Sequence, residues 1–322
     1  MSIRKQTLLV VLLCGVFGVA AAAPGGEYGG SSDLSRVQPG KSDPLPFGAG
    51  KAGVRFINDG QWSNSINLEN GPVQRINRKY GGNPINGNNP YADVANPTAN
   101  PKYLTLHDVV PILGNWFINP RLGQVWYEKR HNNTEVYSVR QMANSAIPAA
   151  PKFGGLVIAK VPGMGGSNGN VFFGEWAPRK GNPPDNSTDL NMADGKRTVW
   201  FVGDNPTGNT TGVKTATYNV LGINKHTPGQ NDFYTGRVTA TFGTGITGTM
   251  EGKISRGSDH VDFGHAKIDN RHGTFADPSQ GMTGRFYGNQ AAAMAGYTTR
   301  GTANVGDDVA FGGKRFATSP KK

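Results

Sequence analysis

Six histidines and a single cysteine are the residues of this 322-residue chain best placed to hold a metal or attack a substrate. A neutral imidazole is the commonest metal ligand, and a thiolate is both ligand and nucleophile. His107 stands in Leu106-His107-Asp108-Val109, and His131 stands between two strand-like runs. These two are the candidate ligands of the first half of the chain. His226, His260, His265 and His272 fall in the second half. His260 and His265 are five apart in a strand-like segment, so alternation sends them to opposite faces. His265 and His272 approach across a hairpin at residues 269–271, but two imidazoles without a third ligand make a poor zinc site. The glycine-rich run Gly163-Met164-Gly165-Gly166-Ser167-Asn168-Gly169 lacks the Lys-Ser/Thr of a phosphate-cradling loop and reads as a linker. No nucleophile elbow and no His-Glu-x-x-His occurs, and the 22 acidic residues are scattered. The expectation is a binding protein and not an enzyme.

The leader sets the compartment. Arg4 and Lys5 precede an apolar run over residues 8–23, which ends in Ala20-Ala21-Ala22-Ala23-Pro24. That is the pattern of a secretory signal peptide, with cleavage expected after Ala22. The cysteine, Cys14, lies inside this leader and follows Val11-Leu12-Leu13, a weak lipid-attachment context. A secreted protein is therefore expected, or a cell-surface one if Cys14 is lipidated. The net charge is +11, or +9 without Arg4 and Lys5. The basic residues are scattered and not interleaved with aromatics, which argues against a nucleic-acid partner and leaves an anionic ligand compatible.

The elements that must position these residues are mainly strands. Forty-seven glycines and 21 prolines favour many short strands with turns between them. Residues 23–50 are rich in Gly, Ser and Pro and read as a flexible N-terminal segment. Residues 51–155 read as a first, β-rich domain. It holds a strand at 53–57, loops over 70–101, and a short helix with Thr105 as N-cap, stopped by Pro111. A hairpin follows, with strands 123–130 and 134–141 joined by His131-Asn132-Asn133. Residues 156–322 read as a second domain. In residues 246–254, Ile246, Gly248, Met250, Gly252 and Ile254 share one face, while Thr247, Thr249, Glu251 and Lys253 share the other. Eight such strands are expected, at 171–177, 198–203, 215–223, 237–242, 246–254, 260–268, 282–288 and 309–316. An apolar face salted with glycine predicts an eight-stranded antiparallel β-barrel with a packed interior, with an open sandwich as the alternative. Residues 289–294 read as one helical turn.

Three segments carry a family resemblance. Gly284-Arg285-Phe286-Tyr287-Gly288-Asn289-Gln290-Ala291-Ala292-Ala293-Met294-Ala295-Gly296, followed by Phe311-Gly312-Gly313-Lys314-Arg315, resembles the closing pattern of the transferrin-binding-protein-B-like β-barrel. Val171-Phe172-Phe173-Gly174-Glu175-Trp176 and Thr198-Val199-Trp200-Phe201-Val202-Gly203-Asp204-Asn205 resemble its opening strands. The match covers roughly residues 170–316 and is most similar to hemophilins and other Slam-dependent proteins. It implies an N-terminal handle domain on an eight-stranded barrel. It also implies export through a Slam-type outer-membrane translocator.

In hemophilins the handle binds haem, so the resemblance implies haem (heme b) as ligand and an outer-membrane haem receptor as partner, with host haem proteins as a source. An iron of this kind takes an axial His, or sometimes Met or Tyr. His107 and His131 are the candidates, with Tyr80, Tyr91 and Tyr103 behind them. Leu104, Leu106, Trp116, Phe117, Trp126 and Tyr127 would supply apolar walls, and Arg121, Lys129 and Arg130 the propionate partners. The alternative is an adhesin that binds a host protein on the same scaffold without haem.

Overall fold

The computed structural model describes residues 28–58, 61–62, 64–80, 102–109, 120–142, 153–181, 184 and 187–316. Five short strands open the chain: β1 (Gly29–Ser31), β2 (Val37–Lys41), β3 (Ala52–Asn58), β4 (Gln61–Trp62) and β5 (Ile66–Asn67). Helix α1 (Gln74–Tyr80), strand β6 (Lys102–Thr105) and the single turn α2 (Leu106–Val109) follow. Then come β7 (Arg121–Arg130), β8 (Thr134–Gln141), β9 (Gly155–Lys160), β10 (Val171–Ala177) and β11 (Thr198–Gly203). Strands β6 to β11 lie with β1 in one antiparallel sheet of seven, in the order β1-β11-β10-β9-β8-β7-β6. Strands β2 to β5 form a small separate sheet.

The expected hairpin is present. Its turn, His131–Asn133, is made possible by Asn132 and Asn133 at φ 54° and 66°. Asparagine tolerates that left-handed region better than most residues. The expected short helix is present as α2, and the stop at Pro111 lies outside the described residues. Asp108 ties α2 back to Thr105: its carboxylate accepts from Thr105 N at 2.6 Å and from Thr105 Oγ1 at 2.9 Å, so the Thr105 hydroxyl donates to the side chain of Asp108 where an N-cap would accept.

The chain then closes into a barrel. Its strands are β12 (Thr215–Ile223), β13 (Tyr234–Thr241), β14 (Thr247–Arg256), β15 (Asp259–Asp262), β16 (Lys267–Asp269), β17 (Thr274–Asp277), β18 (Met282–Tyr287), β19 (Ala293–Thr298) and β20 (Val309–Arg315). The order β13-β12-β20-β19-β18-β17-β16-β14 returns to β13 through the β13–β14 pairing, so eight antiparallel strands close, with β15 folded back on β14. The interior is filled by side chains. Phe242 meets Phe286 edge-on at 4.9 Å, Phe263 meets Phe311 at 5.0 Å, and Phe275 lies 5.2 Å from Phe286. Glycine makes room for them: a Cβ at Gly284 would lie 2.1 Å from Phe275 Cζ.

Four expectations need correction. Residues 171–177 and 198–203 do not open the barrel; they are β10 and β11, central in the seven-stranded sheet, and the first barrel strand is β12. Both are buried along their whole length, so they read as near-continuous apolar runs and give no alternation from which to assign a partner. The missing barrel strands are β17 and β19. Residues 260–268, read as one strand, are split into β15 and β16. Residues 289–294 are not a helical turn: Gln290 and Ala291 sit at φ 55° and 56°, and β19 begins at Ala293. Finally, residues 28–41 are not loose. Gly29–Ser31 pairs with β11, and β2 pairs with β3, contacts too distant in sequence for local composition to show.

The seven-stranded sheet is the middle of three layers. Trp126, Val157, Ala159, Phe173 and Phe201 face the barrel and pack on Leu221, Ile223, Tyr287, Ala295 and Ala310. Tyr127, Tyr137, Ile158, Phe172, Trp176 and Trp200 face the other way and pack on Val54, Phe56, Val73 and Ile76 of the small sheet and α1. The barrel face is smooth where the sheet docks. A Cβ at Gly312, on the outward side of β20, would lie 2.4 Å from the Phe173 ring. Gly312→Val should therefore cost about 1–3 kcal/mol by overpacking this seam. Thermal unfolding measures it, and an unchanged midpoint would contradict this docking.

Candidate functional site

His107 lies on α2 at the edge of the seven-stranded sheet. The turn is fixed from three sides. Leu104 and Leu106 are buried beneath it. Leu106 N donates to Pro120 O at 3.1 Å, just before β7. Asp108, besides tying the turn to Thr105, is ion-paired with Lys79 of α1. The imidazole is half-buried. Cations gather at the same corner: Lys79, Lys102 at the start of β6, and Arg121, which pairs across from Thr105 and lies 4.1 Å over the Tyr103 ring.

His131 is elsewhere. It occupies the turn at the far end of β7, so ten strand residues, about 30 Å, separate it from the His107 corner. The two histidines cannot share one iron. Trp126 and Tyr127 are both fully buried but on opposite faces of β7, so they cannot wall a single cleft. Arg130 is committed to Glu128, to Gln230 O at 3.4 Å and to the Phe233 ring at 5.6 Å. Trp116, Phe117 and Tyr91 lie outside the described residues, as does Cys14 with the rest of the leader.

A haem site needs an axial ligand, cations for its carboxylates and an apolar slot. The His107 corner holds one imidazole and three cationic side chains. The barrel interior is filled, and a cleft of about 430 Å³ at one end of the barrel is polar and lined by no histidine.

The strongest electrostatic feature has no signal in the sequence. Between sheet and barrel, Glu175 of β10 and Arg197 are both fully buried and ion-paired at 2.6 Å. The Glu175 carboxylate also accepts from Lys225 N at 2.9 Å and His226 N at 2.7 Å. Lys225 takes a φ of 53° to aim both N–H groups at it, a backbone nest around an anion. Beside it, the buried His226 ring donates from Nδ1 to Asp232 at 2.6 Å. Its Nε2 lies 3.4 Å from Glu128 Oε1, a charge contact without hydrogen-bond alignment. Burial alone would lower the His226 pKa, but the Asp232 hydrogen bond and the two carboxylate charges outweigh it and push it up to about 9. Burial would likewise raise Glu128, yet His226, Gly229 N and Arg130 hold it below the usual range. With one carboxylate on each ring nitrogen, the three side chains do not converge on a common ion. Of the other histidines, His272 is exposed and bonded to Asp269 at 2.8 Å, and His260 and His265 are exposed.

A packed, closed barrel supporting a three-layer β structure defines the class of protein. No family model matches the sequence. Among solved structures, HpuA from Kingella denitrificans, determined in complex with human haemoglobin, is 14% identical with a TM-score of 0.28. The match covers 61% of this chain and 87% of that one. A second structure, described as a surface lipoprotein, is 17% identical with a TM-score of 0.31, over 61% of this chain and 100% of that one.

Proposed function

We propose that this chain is an exported binding protein that captures haem as a hemophore and passes it to an outer-membrane receptor. The observation that carries this reading is the His107 corner: a half-buried imidazole on a turn tied back to Thr105, with Lys79, Lys102 and Arg121 around it. The resemblance of residues 284–296 and 311–315 to hemophilin-type barrels supports it. In this reading the filled barrel is scaffold and export signal for a Slam-type translocator, and the ligand chemistry sits on the sheet. Haem supplies an iron that takes an imidazole when bound. The chain would fix the turn that bears His107 through the Thr105–Asp108 contacts and would offer cations to the propionates. No catalytic step is involved.

Titration of the purified protein with hemin tests this. A Soret shift saturating at stoichiometric protein is expected, abolished in His107→Ala and retained in His131→Ala. No shift in the wild-type protein would sink the reading.

A second reading, a surface or secreted protein that docks a host macromolecule on the same scaffold without haem, is favoured by one observation: the barrel interior is filled by its own side chains. It expects no spectral change with hemin, and capture of a host protein that His107→Ala leaves intact.

A further inference from the structure

Loops at one end of the barrel border an open polar cleft of about 430 Å³, within the range of small-ligand sites. It is lined by Asn224 and Lys225 after β12, Tyr234 at the start of β13, Arg256 at the end of β14, Asp259 opening β15, Arg300 after β19, and Gly306 and Asp307 before β20. We propose that this cleft binds a monoanionic, hydroxyl-rich ligand: the carboxylate-bearing sugar unit of an acidic glycan.

The walls are rigid. Arg300 uses all five donors: Nε to Asp307 O at 3.2 Å, Nη1 to Asp259 Oδ1 at 2.9 Å and His260 O at 3.0 Å, and Nη2 to Tyr234 OH and Asp259 Oδ2, each at 3.2 Å. Arg256 donates from Nη1 to Asn224 O at 2.9 Å and Asp232 O at 3.1 Å, and from Nη2 to Asn224 Oδ1 at 2.8 Å. Their guanidinium carbons lie 5.5 and 4.4 Å from the Tyr234 ring centroid. Such immobilised side chains lose little entropy when a ligand arrives.

Lys225 is the exception. Its side chain is exposed, and its Nζ has no ion-pair partner among the described residues. The ammonium rests on the lip of the cleft: a Cβ at Gly306 would lie 2.7 Å from it. Its backbone is tied below to Glu175, which leaves the side chain as the available charge of the site.

Charge and polarity select the ligand. Lys225, Arg256 and Arg300 face Asp259 and Asp307, which leaves one net positive charge. A monoanion neutralises it, whereas a phosphate dianion leaves a net negative charge in the cleft beside the two carboxylates. Those carboxylates are also hydroxyl acceptors, and the lining offers no apolar wall. A carboxylate on Lys225 with ring hydroxyls on Asp259 and Asp307 satisfies all three demands.

The test is calorimetric or saturation-transfer titration of the full chain with N-acetylneuraminate and with glucuronate, against glucose and inorganic phosphate. Saturable binding of an acidic sugar is expected, with none for glucose or phosphate. Lys225→Gln should weaken it roughly 10- to 100-fold, the loss of one charged hydrogen bond, without moving the thermal midpoint. Gly306→Ala, which displaces the lysine from the lip, should weaken it as well. No saturable binding of either acidic sugar, equal binding of glucose or phosphate, or wild-type affinity in Lys225→Gln would overturn the proposal. The hemin titration reads a separate corner of the molecule, so either result can stand without the other.

Discussion

Arg197→Met is expected to lower folding stability by about 3–5 kcal/mol, the largest loss for a single substitution at the seam between sheet and barrel. The reason is what it leaves behind. Arg197 donates to Glu175 at 2.6 Å, to Val305 O at 2.6 Å and to Asp308 O at 2.9 Å. Without the guanidinium, the Glu175 carboxylate stays buried with only the Lys225 and His226 N–H groups, Val305 O loses the Arg197 donor, and Asp308 O keeps only Asn224 Nδ2 at 2.9 Å. A buried pair adds little net stability over an apolar pair of similar size, but half of it is a liability. The double variant Glu175→Leu/Arg197→Met should therefore recover much of the loss, since no charge remains to be desolvated. Urea unfolding followed by circular dichroism measures both. A single variant within 1 kcal/mol of wild type, or a double variant less stable than the single, would refute this account of the seam.

The barrel is legible in the sequence because its strands alternate. Met250 and Ile254 inward, with Thr249, Glu251 and Lys253 outward, is a pattern that only a half-buried strand produces, and β12, β13, β14, β18 and β20 all follow from it. The seven-stranded sheet is not legible as a unit. Phe172 and Phe173 both look buried in sequence, and both are, but into different layers. A strand covered on both faces does not reveal its neighbours, so sequence alone joins β10 and β11 to the barrel that follows them instead of the sheet that precedes them. At the candidate site, the Thr105-x-x-Asp108 spacing marks the turn that carries His107, because a contact three residues apart is a local interaction. The separation of His107 from His131 is also implicit, since a ten-residue strand between them fixes a distance. The buried network is invisible for the opposite reason. Glu128, Glu175, Arg197 and His226 belong to four separate segments, and nothing in any one of them announces that the others will be buried against it.

Stability should fall as pH rises from about 6.5 towards 9, and His226 should be the cause. A group whose pKa is raised on folding contributes stability that is complete below its unfolded pKa and is lost as pH passes its folded pKa. For His226 those limits are about 6.5 and about 9. Each pH unit between the two limits is worth about 1.4 kcal/mol, so the contribution is on the order of 3 kcal/mol. The groups facing the ring are Asp232 on Nδ1, Glu128 near Nε2 and Phe233 stacked at 4.5 Å. Deprotonation would leave Glu128 with Arg130 and Gly229 N as its remaining partners. Of the other groups with shifted pKa values, Glu128 and Asp308 lie near this seam and act on the acid side of the window. Glu128, lowered on folding, stabilises above its unfolded pKa and loses that contribution as pH falls. Asp308 is raised by burial, against the opposing charge of Arg197, to about 6, so its contribution is already lost as pH rises through that value. Together they place the optimum in mildly acidic solution. Urea midpoints at pH 6, 7.5 and 9 should decline for the wild-type chain. They should be flat for His226→Gln, which is less stable than wild type at pH 6 and close to it at pH 9. A variant that keeps the wild-type slope would show that another group titrates, and that the imidazole between Asp232 and Glu128 is not the charge that holds sheet and barrel together.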